Sequence, residues 1–227
     1  MKRIVLIVFA ILCAATLAWS TAPTPANGDL DQILAKMQQA GRTVKTMQAN
    51  LAFRKRNTVL GGDEADSGWF KIQRVGQKRD LVRIKYNSGT EVLLDESWGY
   101  LYQPTIHQVT KRSRSSLSGG SSELTFLETP YRSMADLKAH YDITHRGEES
   151  VASRETSVIE LTPKKGTPGP KLVVWVDRSS WLPIQYEMIE RSSKRTFTLT
   201  DMKINLDLGK DVFKLNPPAG TKWLTAP

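Results

Sequence analysis

Side chains able to react are few and scattered in this chain, whereas side chains able to hold an apolar ligand recur at regular spacing. There are three histidines, His107, His140 and His145, and no two have the helical spacing of a metal-ligand pair. His140 and His145, five apart at the start of a strand, point to opposite faces, and all three read as surface or turn residues. The single cysteine, Cys13, falls inside an N-terminal apolar run. There is no Gly-x-Ser-x-Gly elbow, and Ser118-Gly-Gly-Ser-Ser lacks the strand-to-helix context that would expose a nucleophile. Gly61-Gly62 and Gly119-Gly120 are not followed by the Gly-Lys-Ser/Thr of a phosphate loop. Glu148-Glu149 reads as a solvated turn. No nucleophile and base can be coupled from these residues, so the expectation is a protein that is not an enzyme and holds neither metal nor cofactor.

The binding residues are better organised. Alternation places Phe70, Ile72, Val82, Ile84, Tyr86, Val92 and Leu94 on one face of successive strands, with Phe53, Tyr100, Tyr102, Ile184, Tyr186 and Met188 joining them. A curved sheet must fill its concave face with its own side chains, with a helix or with a ligand. Two readings follow: an ordinary core with helices packed permanently into it, or a hollow that can be vacated. Arg74 shares parity with Phe70 and Ile72, and burying an unpaired guanidinium is very costly. It either reaches carbonyls covering the cavity mouth, or a bulge reverses parity and exposes it.

The elements that must carry these residues are short. Asp29 caps a helix over 29–42, where Leu30, Ile33, Leu34 and Met37 form one apolar stripe. From Met47 the period changes to two, and about ten short strands follow, joined by Gly-, Ser- and Asn-containing turns, as one antiparallel meander. That number is near the limit for an open sheet, so the sheet should curl. The stretch from Ser113 to Ser122 is Ser-, Gly- and Arg-rich and reads as a flexible loop, followed by helical signals at Ser121–Leu127 and Ser133–Lys138. The fold class expected is mainly β within α+β: a single curved antiparallel sheet forming an unclosed barrel, covered by an N-terminal helix and a short helical lid.

With 227 residues and 40% apolar content, residues 29–227 suffice for one domain and one good core. Met1-Lys2-Arg3, the uncharged run from Ile4 to Ala18 and the small residues of Ala18-Trp19-Ser20 predict a signal peptide over 1–20, followed by a tether over 21–28. Leu12 stands where a lipoprotein signal places a small residue, so no lipid is expected on Cys13. Lys and Arg number 32 against 23 Asp and Glu, a formal +9. Such a surface suits an anionic membrane, nucleic acid or an acidic partner, and export argues against nucleic acid.

Five stretches, in order, resemble the periplasmic outer-membrane lipoprotein carrier family, LolA and its relatives. They are Gly68-Trp-Phe-Lys-Ile-Gln-Arg74, Glu91-Val-Leu-Leu-Asp-Glu-Ser-Trp-Gly-Tyr-Leu-Tyr-Gln-Pro104, Val158-Ile-Glu-Leu-Thr-Pro-Lys164, Val174-Trp-Val-Asp-Arg-Ser-Ser-Trp-Leu-Pro183 and Asp211-Val-Phe-Lys-Leu-Asn-Pro-Pro-Ala-Gly-Thr221. The resemblance implies an unclosed β-barrel with a helical lid that carries lipoprotein acyl chains across the periplasm. It implies as partners an ATP-driven inner-membrane release complex and an outer-membrane acceptor or receptor. It also implies that Arg74 latches the lid, here assigned to Leu124, Phe126 and Leu127 with the first helix. Val75-Gly76 stands where the best-known members have proline after the arginine, and the lid stretch is barely similar. A monomeric carrier is expected. The alternatives are a periplasmic module that senses lipid or lipoprotein and an enzyme acting on envelope lipids.

Overall fold

The computed structural model of the protein describes residues 27–59, 61–75, 79–117, 134–209 and 211–226. The signal segment 1–20 and the lid residues Leu124, Phe126 and Leu127 lie outside the described residues. Helix α1 (Asn27–Thr43) leads into β1 (Thr46–Asn57), β2 (Asp63–Val75), β3 (Arg79–Tyr86), β4 (Glu91–Leu94) and β5 (Trp98–Gln103). A 3-10 turn (Pro104–Ile106), β6 (Gln108–Ser113) and the single turn of helix α2 (Arg114–Leu117) complete the first half. Helix α3 (Met134–His140) then opens a second run: β7 (Tyr141–Val151), β8 (Arg154–Pro163), β9 (Lys171–Asp177), β10 (Pro183–Ile189) and β11 (Ser193–Ile204). The last strand is β12 (Lys222–Thr225). α1 has Asp29 in its first turn and Arg42 in its last, both placed to suit the helix dipole.

All twelve strands form one curved, unclosed sheet in the order β12-β6-β5-β4-β3-β2-β1-β11-β10-β9-β8-β7. β1 is central, paired antiparallel with β2 on one side and β11 on the other. Two meanders thus meet at β1, and the chain passes from the β6 edge to the β7 edge between Ser113 and Tyr141. The expected single antiparallel meander is corrected at two places: β1 pairs with β11, so that two meanders are joined at their first and last strands, and β12 pairs parallel with β6. A parallel partner needs a long crossover, and the stretch between Ile204 and Lys222, which reads as a tail in the sequence, supplies it.

Side chains alternate between two faces that differ in kind. The inner face carries Met47, Ala49, Leu51, Phe70, Ile72, Val82, Ile84, Val92, Leu94, Ile159, Leu161, Leu172, Val174, Phe197 and Leu199 in one cluster. The same cluster takes in Ile33 and Leu34 of α1 and Leu137 of α3, with Leu30, Met37, Ala40 and Leu117 packed against it. The sheet is therefore wrapped around helical side chains. Gly68 marks a close approach within the sheet: a Cβ there would lie 2.0 Å from the Lys85 carbonyl oxygen and 2.9 Å from Tyr86 Cα. Only glycine lets β2 and β3 come together at this point.

The outer face holds the crossover in place. Arg83 alternates with Val82 and Ile84, so it points outward, where its Nη1 donates to the Val212 carbonyl at 2.8 Å and its Nε donates to Glu91 at 3.2 Å. Lys85 Nζ reaches the other Glu91 oxygen at 3.0 Å. Burial alone would raise the Glu91 carboxyl, but the bonds from Arg83 and Lys85 and their charges outweigh it and hold the group below the usual glutamate value.

Two outcomes test this account. Gly68→Ala is expected to cost about 2 kcal/mol or more, because the obstacle is backbone, and urea unfolding measures it. Glu91→Gln is expected to cost roughly 2–3 kcal/mol at neutral pH. The folded-state value of Glu91 is depressed, so its contribution is complete above the ordinary glutamate value and fades as pH falls below it. The difference between the two urea midpoints should therefore shrink in acid, and an undiminished difference there would rule out the anchor.

Candidate functional site

The site is the inner face together with what holds its cover down. Arg74 lies near the end of β2, and the β2–β3 register runs unbroken through Phe70–Ile84, Ile72–Val82 and Arg74–Asp80. No bulge intervenes, so Arg74 keeps the parity of Phe70 and Ile72, and the exposed alternative is overturned. Its Nη1 donates to the Gly41 carbonyl in the last turn of α1 at 3.0 Å, and its backbone N–H donates to Lys45 O at 2.8 Å. Last-turn carbonyls have no partner within their helix, so they are natural acceptors for an arginine. Asp80, largely buried, lies 3.7 Å from Arg74 Nε.

A second arginine shares this corner. Arg114, the first residue of α2, donates from Nη1 to the carbonyls of Asp80 and Asp95 at 2.8 and 2.7 Å. Arg74 thus ties α1 to the sheet, and Arg114 ties the start of the β6–β7 connection to it. Sequence reasoning missed Arg114, placing it in a flexible basic run. Nothing in the spacing of Lys111-Arg-Ser-Arg114 marks one cation as bound to carbonyls far away in the chain.

Most of the predicted lining residues come together on the inner face. Phe70, Ile72, Val82, Ile84, Tyr86, Val92, Leu94, Tyr186 and Met188 are buried members of the one cluster. Phe53 is half-buried at its margin, its ring 5.0 Å from Phe197 and 5.8 Å from Tyr86. Ile184 is fully buried at the irregular start of β10.

Tyr100 and Tyr102 are corrected. Their register partners are Leu93 and Glu91, which face away from Val92 and Leu94, so both tyrosines lie on the outer face. β4 is buried at all four positions, and alternation across it carries no sign of which face is which. Burial, and then the bond Tyr100 donates to Asp95 at 2.9 Å, push its phenol up to about 12.

Beside the first half of α1 lies a cleft of about 770 Å³, bordered by Asp29, Ile33, Lys36, His145, Glu148, Arg154, Asp177, Arg178 and Trp181. Lys36 Nζ sits 4.2 Å over the Trp181 ring. Both His145 ring nitrogens are buried and have no hydrogen-bond partner among the described residues, which corrects the expectation of a surface histidine. The pairing of His145 with Ile159 turns it to the inner side. Burial would raise the Asp177 carboxyl, but bonds from Ser180 and Ser179 and the charge of Arg154 hold it low. Among the described residues, no three His, Cys, Asp or Glu side chains come together as a metal-ligand set.

Over residues 76–211 the chain matches the model of a family described as "Uncharacterized protein". An uncharacterized protein of Methanocaldococcus jannaschii is 24% identical over 198 residues, 86% of this chain and 54% of its own length. The chain therefore spans about half the length of that curated relative. Among solved structures, an uncharacterized conserved protein of Thermus thermophilus shows a TM-score of 0.53 at 11% identity, over 87% of this chain and 99% of that one. MucB shows 0.53 at 16%, over 83% and 63%. These two establish a shared fold. A LolA superfamily protein of Nitrosomonas europaea is also a structural neighbour, with a TM-score of 0.39 at 17% identity over 82% and 97%.

If Arg74 holds α1 down, its loss loosens the helix and leaves the sheet intact. Arg74→Leu is expected to cost about 1–2 kcal/mol and to speed amide hydrogen exchange in residues 30–41 more than in β1 or β3. Equal acceleration in all three elements would show that Arg74 supports the fold generally and is no latch.

Proposed function

We propose that this chain, which belongs to the uncharacterized-protein family whose model it matches, is a binding protein that takes acyl chains onto the inner face of its sheet, in exchange for helix α1. The observation that carries this reading is the cover. One side of the apolar inner face is the sheet itself, and the other is formed among the described residues by single helices, with α1 held by a bond from Arg74 to Gly41. A cover of this kind can leave without breaking a β-ladder.

Magnitudes favour exchange. A long acyl chain gains about 0.8 kcal/mol per methylene removed from water, on the order of 10 kcal/mol in all. Two buried and three half-buried apolar side chains of α1 gain roughly 6–9 kcal/mol. Cargo therefore displaces the helix by a modest margin, and a modest margin permits release. The Arg74 bond adds about 1–2 kcal/mol to the closed form, enough to bias the exchange without blocking it.

The finer reading is a periplasmic carrier. The N-terminal segment supports export, and the ordered motifs quoted above resemble lipoprotein carriers. On this reading lipoprotein acyl chains are loaded from an ATP-driven inner-membrane complex and passed to an outer-membrane acceptor. No helix among the described residues is long and apolar enough to cross a membrane. The protein acts by binding and has no catalytic step.

The test is a fluorescent fatty-acid probe. The protein is expected to bind it and to lose it to an acylated peptide, and no displacement from the folded protein would end the proposal. Leu34→Ala weakens the competing helix by about 2–3 kcal/mol, so it should tighten probe binding about tenfold or more. Weaker binding in this variant would mean that α1 helps to hold the probe instead of competing with it. Arg74→Leu should keep probe binding, several-fold tightened by the same linkage, and slow or misdirect handover to acceptor membranes, and wild-type transfer in that variant would end the latch.

A further inference from the structure

The two free edges of the sheet are unlike. On the β7 edge the exposed positions are Asp142, Thr144, Arg146, Glu148, Glu149 and Ser150, polar groups of the kind that blunt an edge. The β12 edge carries exposed apolar side chains instead: Trp223 is 53% and Leu224 50% exposed, with Ile106 at 54% and Leu101 at 37% beside them. We propose that this edge is a docking lip for an anionic phospholipid bilayer.

Successive strand residues point to opposite faces, so Trp223 and Leu224 give the lip two sides. On the outer side Trp223 meets Tyr100 edge-to-face at 6.3 Å, and Lys111 Nζ lies 3.8 Å over the Trp98 ring. Amphipathic rings with a cation among them suit the headgroup layer, where Trp and Tyr concentrate. On the inner side the register aligns Leu224 with Thr110, Thr110 with Leu101, Leu101 with Val92 and Val92 with Ile84. That row runs from the exposed edge to the buried inner face. Thr110 is the one polar side chain in this row, and its hydroxyl is occupied by the Gln108 amide at 3.1 Å, so an acyl chain leaving a bilayer at Leu224 meets mostly apolar side chains on its way inward.

Charge agrees with this partner. Lys111, Arg112 and Lys222 lie on the two outermost strands, and each cation held near an anionic surface favours association. The facing acids are Asp95 and Glu96 in the β4–β5 turn, and Asp95 is engaged by the Trp98 N–H and the Tyr100 hydroxyl. A peptide adding a strand would draw its affinity mainly from the β12 backbone. A bilayer uses both faces.

Docking stands apart from the acyl-chain reading, and one set of variants separates them. The full chain is sedimented with vesicles of phosphatidylethanolamine and phosphatidylglycerol, and with vesicles of phosphatidylcholine alone. Preferential binding to the first, weakened by salt, is expected. The double variant Trp223→Ser, Leu224→Ser should lose about tenfold or more of that partitioning, while Val59→Ser, which removes an exposed apolar side chain at the β1–β2 turn, should lose none. Lys222→Glu, a surface change that leaves the strand intact, should weaken binding to the anionic vesicles only. Retained fatty-acid-probe binding in the double variant shows that the inner face is intact and that docking alone was lost. Wild-type vesicle binding in the double variant overturns the proposal. So does a wild-type protein that ignores vesicles and self-associates, or captures an extended peptide, through the same edge.

Discussion

A β-sheet that does not close on itself leaves one apolar face without a sheet partner, and most of this structure answers that constraint. Twelve strands bend around their inner side but end at two separate edges. Ile33 and Leu34 of α1 and Leu137 of α3 enter the inner cluster because no strand can. The face must be covered, since exposing an apolar surface of this extent to water is unfavourable at about 25 cal/mol per Å². The cover need not be permanent, because a helix satisfies its own backbone hydrogen bonds and leaves none broken in the sheet when it moves.

The polar groups of the structure are arranged to hold those covers from the rim. Arg74 and Arg114 are carried by β2 and by α2 and converge on the neighbourhood of Asp80, each donating to carbonyls and keeping charge at the margin of the apolar face. On the opposite face Arg83, held by the Glu91 carboxylate, donates to the Val212 carbonyl and so pins the crossover that delivers β12. Inner helix and outer crossover are thus pinned at the same region of the sheet, near β2–β4. The far half, β7–β9, has the charged cleft beside the first half of α1.

Period-two alternation was enough to find the strands and most of the apolar side chains that gather on the inner face. Phe70, Ile72, Val82, Ile84, Val92 and Leu94 belong to one apolar run whose parity can be followed strand by strand. It failed where the signal disappears. β4 is buried on both faces, and the turn at Asp95–Ser97 resets the phase, so Tyr100 and Tyr102 fell on the wrong side. His145 looked like a surface residue because a single histidine near a strand start says nothing about which helix will lie over it.

The residue pattern alone determined the local elements: an amphipathic stripe makes α1, and alternation with short turns makes strands that pair with their neighbours. It also determined that Arg74 shares a face with Phe70 and Ile72, since the side-chain period of a strand is strict. The tertiary structure decided what lies far apart in the chain. It put β11 against β1, β12 against β6 in parallel, and Arg114 onto two distant carbonyls. Those choices rest on long-range pairing, whose cost is loop closure and whose gain is burial summed over the whole sheet, and neither quantity is written in any short stretch of residues.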